Sequence, residues 1–268
     1  MKKFILSGLI FILIGIAIYA NNQYGLLAMA GLNGKGLAAK GVKGGLAYMD
    51  ASSTTVVDHS AWHRLLQKHV STNGFVDYKG FLGNQKKLKA YLNMLSTTIP
   101  SDKWSVQEQL AYYINAYNAH TVNLILDNYP VKSIKDINKP WNIDIVKIGD
   151  KELSLGALEH SILRKMNEPR IHFAINCASG SCPKLLNEAF TADRLDDQLN
   201  QVTKGFINSM NNTISKDKVE LSKIFKWYKS DFMDGDLIAY INQYADMKIG
   251  PDAKIRYKEY DWTLNGSW

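Results

Sequence analysis

The 268-residue chain has only two cysteines, Cys177 and Cys182. A scaffold held by several disulfides is therefore excluded, and one C-x4-C pair leaves open a short bridge, half of a metal site or a reactive thiol. Proline is scarce at 6 residues and charged residues make up 21%, against 46% hydrophobic residues. That balance excludes a collagen-like or disordered chain and supplies enough apolar side chain for a core. No internal repeat is visible. The formal charge of +7 would suit a polyanion binder, but residues 1–49 carry five lysines and no acid. Subtracting those five leaves +2 for residues 50–268, so the folded region offers no compositional case for nucleic acid. The lysine-bearing segment between Gly25 and Gly45 also lacks the Arg and Trp that a nucleic-acid arm would use.

What the chain does have is a leader. Lys2 and Lys3 precede an uncharged run from Phe4 to Ala20. At helical rise such a run spans about 25 Å, short for a membrane helix and long for the apolar part of a cleaved signal. Residues 1–22 are read as a signal peptide or membrane anchor. The chain is accordingly expected to be exported, periplasmic or extracytoplasmic, secreted or tethered, with membrane contact through residues 4–20 if the leader is retained. Residues 23–56, rich in Gly, Ala and Lys, read as a flexible linker, and residues 57–268 as the folded domain.

Within that domain, Trp62, Leu65, Leu66 and Val70 recur at helical spacing behind Asp58, and Phe75 to Tyr78 reads as a short strand. Leu82 to Leu95 is again helical. Ser105 and Glu108 form a capping box that opens a long helix ending at Asn128-Tyr129-Pro130. Asn115 and Asn118 lie one turn apart on it and are candidates for holding a loop. Ile143 to Ile148 and Lys151 to Leu153 read as a hairpin, and Ser154 as the cap of a helix bearing Glu159 and His160. Arg170 to Asn176 is short and β-rich and reads as a strand delivering Cys177 to a turn, with Pro183 starting a short helix. Helices are expected from Leu195 to about Met210, around Phe225 and Trp227, and over Leu237 to Tyr244. Strands are expected over Lys218 to Leu221 and Ile255 to Trp262. Helices and short strands do not alternate regularly, so the fold class is α+β, helices on a small, mainly antiparallel sheet.

The segments AYYINAYNAHTVNLIL (111–126), LSLGALEHSIL (153–163), IHFAINCASGSCP (171–183), VELSKIFKWYKSDF (219–232) and YDWTLN (260–265) together resemble the domain of unknown function 547 family. The resemblance covers roughly residues 58–265. It draws attention to Asn115, Tyr117, Asn118, Glu159, His160, His172, Asn176, Cys177, Ser181, Cys182 and Pro183. His120 stands where apolar residues are more usual in the family. The resemblance names no reaction; at the level of fold it suggests a papain or transglutaminase-like architecture, from which function does not follow.

Two functional classes fit these residues. In the first, the chain is a Cys-dependent hydrolase or acyltransferase acting on an amide or thioester of a small molecule or peptide. Cys177 or Cys182 is the nucleophile, His160 or His172 the base, and Asn176 or Asn118 the group that orients the imidazole or binds the oxyanion. Cys182 beside Pro183 would gain from a helix N-terminus that lowers its pKa. On a regular strand, His172 and Asn176 face away from Cys177, which makes His172 a poor partner for it. Asn115, Tyr117, Asn118 and Glu159 are the binding candidates, and no metal or cofactor is expected. In the second class the domain is a non-catalytic binding or assembly module whose Cys177–Cys182 pair is a structural disulfide.

Overall fold

The computed structural model describes residues 13–21 and 25–266. The expected leader lies largely outside the described residues. Residues 13–21 are helical, with Leu13, Ile14, Ile16 and Ile18 exposed. Among the described residues no helix is long and apolar enough to cross a membrane.

In chain order the helices are α1 (Leu26–Met29), α2 (Ser60–His69), α3 (Tyr78–Leu82), α4 (Gln85–Thr97) and α5 (Val106–Asp127). After these come α6 (Leu155–Ser161), α7 (Ile171–Ala174), α8 (Leu195–Ile207), α9 (Ile224–Trp227) and α10 (Leu237–Tyr244). Strands β1 (Asp144–Ile148) and β2 (Lys151–Ser154) form an antiparallel hairpin, with Val146 opposite Leu153. Strands β3 (Thr213–Ile214), β4 (Lys218–Leu221) and β5 (Lys254–Tyr257) form a second sheet, β3 antiparallel and β5 parallel to β4. The fold is α+β, with small sheets at the margins of a helical body.

Helix α5 is the axis of that body. Ser105 caps it, its side chain accepting the Glu108 amide at 3.1 Å. The Glu108 carboxylate serves a different partner from the one a capping box implies, accepting the Val57 amide at 2.9 Å. Of the 22 residues of α5 nearly all are buried, so the helix is enclosed on every side. A second cluster is aromatic, with Phe173, Phe206, Phe225, Phe232 and Tyr240 packed together beyond α7. The segment between these two clusters carries the cysteines.

Three expectations are corrected. Residues 25–49 do not hang free as a tether: Val42 donates to the Met166 carbonyl at 2.8 Å, Lys40 N–H to Gln109 Oε1 at 2.7 Å, and the Tyr113 hydroxyl to the Ala38 carbonyl at 2.6 Å. Leu46 and Val42 are buried in the main core. Phe75 to Tyr78 contributes only bridges through Val76, because Asp77 caps α3 instead, its carboxylate accepting the Gly80 amide.

Residues 170–176 form no strand. Pro169 and Glu168 start a single helical turn, with Glu168 accepting the Arg170 amide and pairing with its guanidinium at 2.6 Å. Asn118 then takes the place of a strand partner at its end: its side chain donates to the Ala174 carbonyl at 2.9 Å and accepts the Asn176 amide at 2.8 Å. Backbone groups that a ladder would satisfy are satisfied by one buried amide side chain.

Candidate thiol site

The turn holding the cysteines is shaped by side chains remote in sequence. Asn176 donates to the Pro183 carbonyl at 2.7 Å and accepts the Ala178 amide at 2.9 Å, which closes the loop on itself. Ala178 is thereby held at φ 58°, a left-handed conformation that costs a Cβ-bearing residue about 1–2 kcal/mol. Gly180 lies so close to Asp261 that a Cβ there would stand 2.6 Å from the carboxylate, and its amide bonds the Thr263 carbonyl at 2.7 Å. Ser181 accepts the Asp261 amide. The carboxyl-terminal segment thus straps the cysteine turn and places Tyr260 over it.

Cys177 is half-buried and Cys182 buried, and both thiols are free. The disulfide alternative therefore finds no support in the structure. The Cys177 amide donates to Cys182 Sγ at 2.8 Å, while Cys177 Sγ lies 3.2 Å from Ser179 Oγ and 3.3 Å from the Tyr260 hydroxyl. The hydrogen bond from the Cys182 thiol holds the Cys177 pKa below its ordinary value; burial opposes it, and the Ser179 and Tyr260 hydroxyls add to it. Burial pushes the Cys182 thiol well up, and the neighbouring Cys177 pushes it further. No helix follows Pro183, so the helix-terminus activation expected for Cys182 is absent. Of the two thiols, Cys177 is the one whose surroundings favour the thiolate.

A cavity of about 620 Å³ opens over this thiol. It is lined by Cys177 and Cys182 together with Tyr117, Glu159, His160 and His172, so six of the sequence candidates meet in one place. Contrary to the strand reading, His172 and Cys177 line the same space, because the helical turn of α7 rotates the ring toward it. Asn115, Asn118 and Asn176 do not line it. Asn115 holds Phe190 through both its amide and carbonyl, and the other two hold the cysteine turn.

The histidines have partners other than sulfur. His172 Nε2 lies 2.9 Å from Asp231 Oδ2, and its ring stacks on Tyr228 at 4.1 Å. Asp231 also grips Arg164 at 2.6 and 2.7 Å. Burial works against its charge, but the hydrogen bonds from Arg164 and His172 prevail and hold its carboxyl far below the usual range. His160 Nδ1 faces the Arg164 guanidinium at 3.3 Å, which makes that nitrogen the acceptor and leaves the proton of the neutral ring on Nε2. Burial lowers the His160 pKa, against the pull of Glu159. Glu159 accepts from the Tyr117 hydroxyl at 3.2 Å and from the Tyr228 hydroxyl. Burial raises both phenols well above their ordinary pKa, with the Glu159 charge adding to it. Among the described residues neither thiol is hydrogen-bonded to an imidazole, and no group of three or more His, Cys, Asp or Glu side chains could hold a metal ion. The expected Cys–His pair is thus not formed.

Sequence reasoning gave no site role to Arg164, Asp231, Ser179, Tyr228, Tyr260, Trp227 or Trp262. Tyr228, Asp231 and Tyr260 lie inside the fourth and fifth blocks of the family resemblance, which was the signal that could have found them.

Residues 101–207 match the family described as "Protein of unknown function, DUF547". That stretch is similar to the family over 107 of the 268 residues. No curated protein and no solved structure matches the chain. The matched stretch holds α5, Glu159, His160, His172 and both cysteines, whereas Tyr228 and Tyr260 line the same cavity from beyond it and Asp231 bonds His172 from there.

Proposed function

We propose that the chain is a Cys-dependent acyl-transfer enzyme with Cys177 as nucleophile and a thioester as acyl donor. The observation that carries this reading is the Cys177 thiol on the wall of a 620 Å³ cavity, with hydroxyl donors at 3.2 and 3.3 Å that favour the thiolate. The Cys177 thiolate attacks the acyl carbonyl, a carbon–sulfur bond forms, and the donor thiolate leaves and takes up a proton from water. Water or a second nucleophile then releases the acyl group. A thioester fits better than an amide because an amine cannot leave without a proton. No imidazole bonds the thiol, and Tyr260, whose phenol burial pushes far up, is a poor acid. His160, with its Nε2 proton and its place on the cavity wall, is the group that would donate to the developing oxyanion. Glu159 accepts from the Tyr117 and Tyr228 hydroxyls, and the three side chains line the same cavity. On the same reading, residues 1–22 are a signal peptide or anchor that would direct this domain out of the cytoplasm, secreted or tethered.

The test is incubation of the full chain with acyl-coenzyme A thioesters, followed by intact-mass and peptide mass spectrometry. A hydroxylamine-labile acyl adduct at Cys177, abolished in Cys177→Ala and retained in Cys182→Ala, is the expected result. No adduct, or one that persists in Cys177→Ala, sinks the enzyme reading and leaves the domain as a non-catalytic binding module. That second reading draws on the missing Cys–His hydrogen bond.

A further inference from the structure

The cavity over Cys177 has two chemically different zones. Its buried lining carries the hydrogen-bonding groups of Tyr117, Glu159 and His172 beside the apolar side chains of Ile137, Ile175 and Ile224. Its lining toward solvent is apolar and aromatic at Met29, Trp141, Trp227 and Trp262, with Trp227 46% and Met29 59% exposed. Trp227 and Trp262 stack at 5.9 Å, and Trp141 meets Trp262 edge-on at 5.7 Å, so this wall is a continuous ring surface. A ligand that fills the space must therefore present carbon along the outer wall and a reactive polar head beside Cys177. A volume of 620 Å³ lies within the range of about 300–1,000 Å³ typical of small-molecule sites.

The apolar surface does not stop at the cavity edge. Met29 belongs to α1, which packs on α6, and the same segment exposes Leu26, Leu27 and Leu32, the last at 73%. Immediately before it, residues 13–21 expose Leu13, Ile14, Ile16 and Ile18. Exposed apolar side chains grouped in this way mark an interaction surface rather than ordinary solvent-facing helix. Lys135 and Lys139 also line the cavity, Lys135 seated 5.1 Å over the Trp262 ring. Tryptophan and lysine around an apolar patch are the side chains that settle at the headgroup level of a bilayer.

We propose that the cavity is a binding site for a long acyl chain, entered from a bilayer surface on which residues 26–32 rest, with the acyl carbonyl delivered to Cys177. The identity of the reacting end rests on the thiol reading above; the chain site itself rests on the walls. A chain lying along Met29, Trp141, Trp227 and Trp262 exchanges water contact for carbon contact over its length, and each methylene so buried strengthens binding roughly fourfold. The acyl donor delivered to Cys177 is a long-chain thioester partitioned into the bilayer, so the displacement at the head is thioester exchange with a thiolate leaving; an ester-linked phospholipid serves only as a probe of the chain site.

The experiment uses the full chain reconstituted in mixed phosphatidylcholine and phosphatidylglycerol vesicles that contain a phospholipid with a photoactivatable acyl chain, with crosslinks mapped by mass spectrometry. Crosslinks are expected at Met29, Trp141, Trp227 and Trp262, equally in wild type and in Cys177→Ser, and competed by palmitoyl-coenzyme A but not by acetyl-coenzyme A. Met29→Asp, at an exposed position whose change leaves the core intact, puts a charge into the wall and should cut cavity crosslinks at least about tenfold while crosslinks to residues 13–21 persist as the internal control. Crosslinks confined to residues 13–21, or undiminished by Met29→Asp, overturn the site. Crosslinks from a photoactivatable acyl-coenzyme A but none from the vesicle lipid overturn entry from the bilayer. Cavity crosslinks without any acyl adduct at Cys177 support the chain site and sink only the acyl-transfer reading.

Discussion

A hydrogen bond from one cysteine to another sets the difference between the two thiols. Cys182 is the largest influence lowering the Cys177 pKa, and Tyr260 and Ser179 add to it. Replacing Cys182 by Ala should therefore move the pH profile of Cys177 alkylation to higher pH, whereas Tyr260→Phe should move it by less. Iodoacetamide rates measured across pH decide this, and an unshifted Cys182→Ala profile would remove the proposed activation. The residue scale also explains why the asparagines mattered without being catalytic. Asn118 satisfies the Ala174 carbonyl and the Asn176 amide, both inside the protein. Asn118→Ala strands two buried backbone groups, so denaturant unfolding should show a loss of about 2–5 kcal/mol. A smaller loss, with cysteine reactivity unchanged, would mean that water replaces the amide. The sequence announced Asn115 and Asn118 by their rarity on a buried helix face, but the partners of Asn118 lie 56 and 58 positions away and that of Asn115 lies 75 away, and no local pattern names them.

At the scale of elements, α5 carries an ionisable group where the helix needs none. His120 is buried, and burial lowers its pKa from 6.5 to about 4. Between those values the unfolded chain takes up a proton that the folded chain refuses. The stability tied to the neutral ring is therefore complete above about pH 6.5 and is lost as pH falls toward 4. The same sign holds for His59, also lowered to about 4 by burial, with its Nδ1 bonded to the Tyr91 hydroxyl at 2.7 Å. His120→Leu should flatten the pH dependence of unfolding free energy in this window by about 2–3 kcal/mol, measured by urea titration of both proteins near its two ends. An equal slope in the variant would show that the ring is protonated in the fold. Most element boundaries were legible: the Ser105 and Ser154 caps, the Gly149 turn and the Leu237–Tyr244 helix all stand where spacing placed them. Residues 170–176 were not legible, because their β-rich composition is overridden by a buried Glu168–Arg170 pair and by Asn118.

Over the whole molecule, the amino-terminal strap is part of the fold. Leu46 is 1% exposed, and Gln107 donates to its carbonyl at 3.3 Å. If residues 38–49 were a loose tether, truncating Leu46 would cost nothing; as a core element, Leu46→Ala should destabilise the chain by about 2–5 kcal/mol in denaturant unfolding. The strap was misread because Gly, Ala and Lys give no amphipathic period, and its stability comes from backbone hydrogen bonds to Met166 and Gln109 that composition does not encode. By itself the sequence determined the α+β class, most helices, the likeness to the family, and the short list of chemistry-bearing residues, since caps, spacing and ordered blocks are local properties of the chain. Only the tertiary structure decided which of those residues share a cavity. The path from Glu159 through His172 to Tyr260 joins positions separated by up to about a hundred residues, and packing between two cores, not spacing, brings them together. It also decided that Cys177 meets hydroxyls and a second thiol rather than an imidazole, because Asp231 and Arg164 reach the two histidines first.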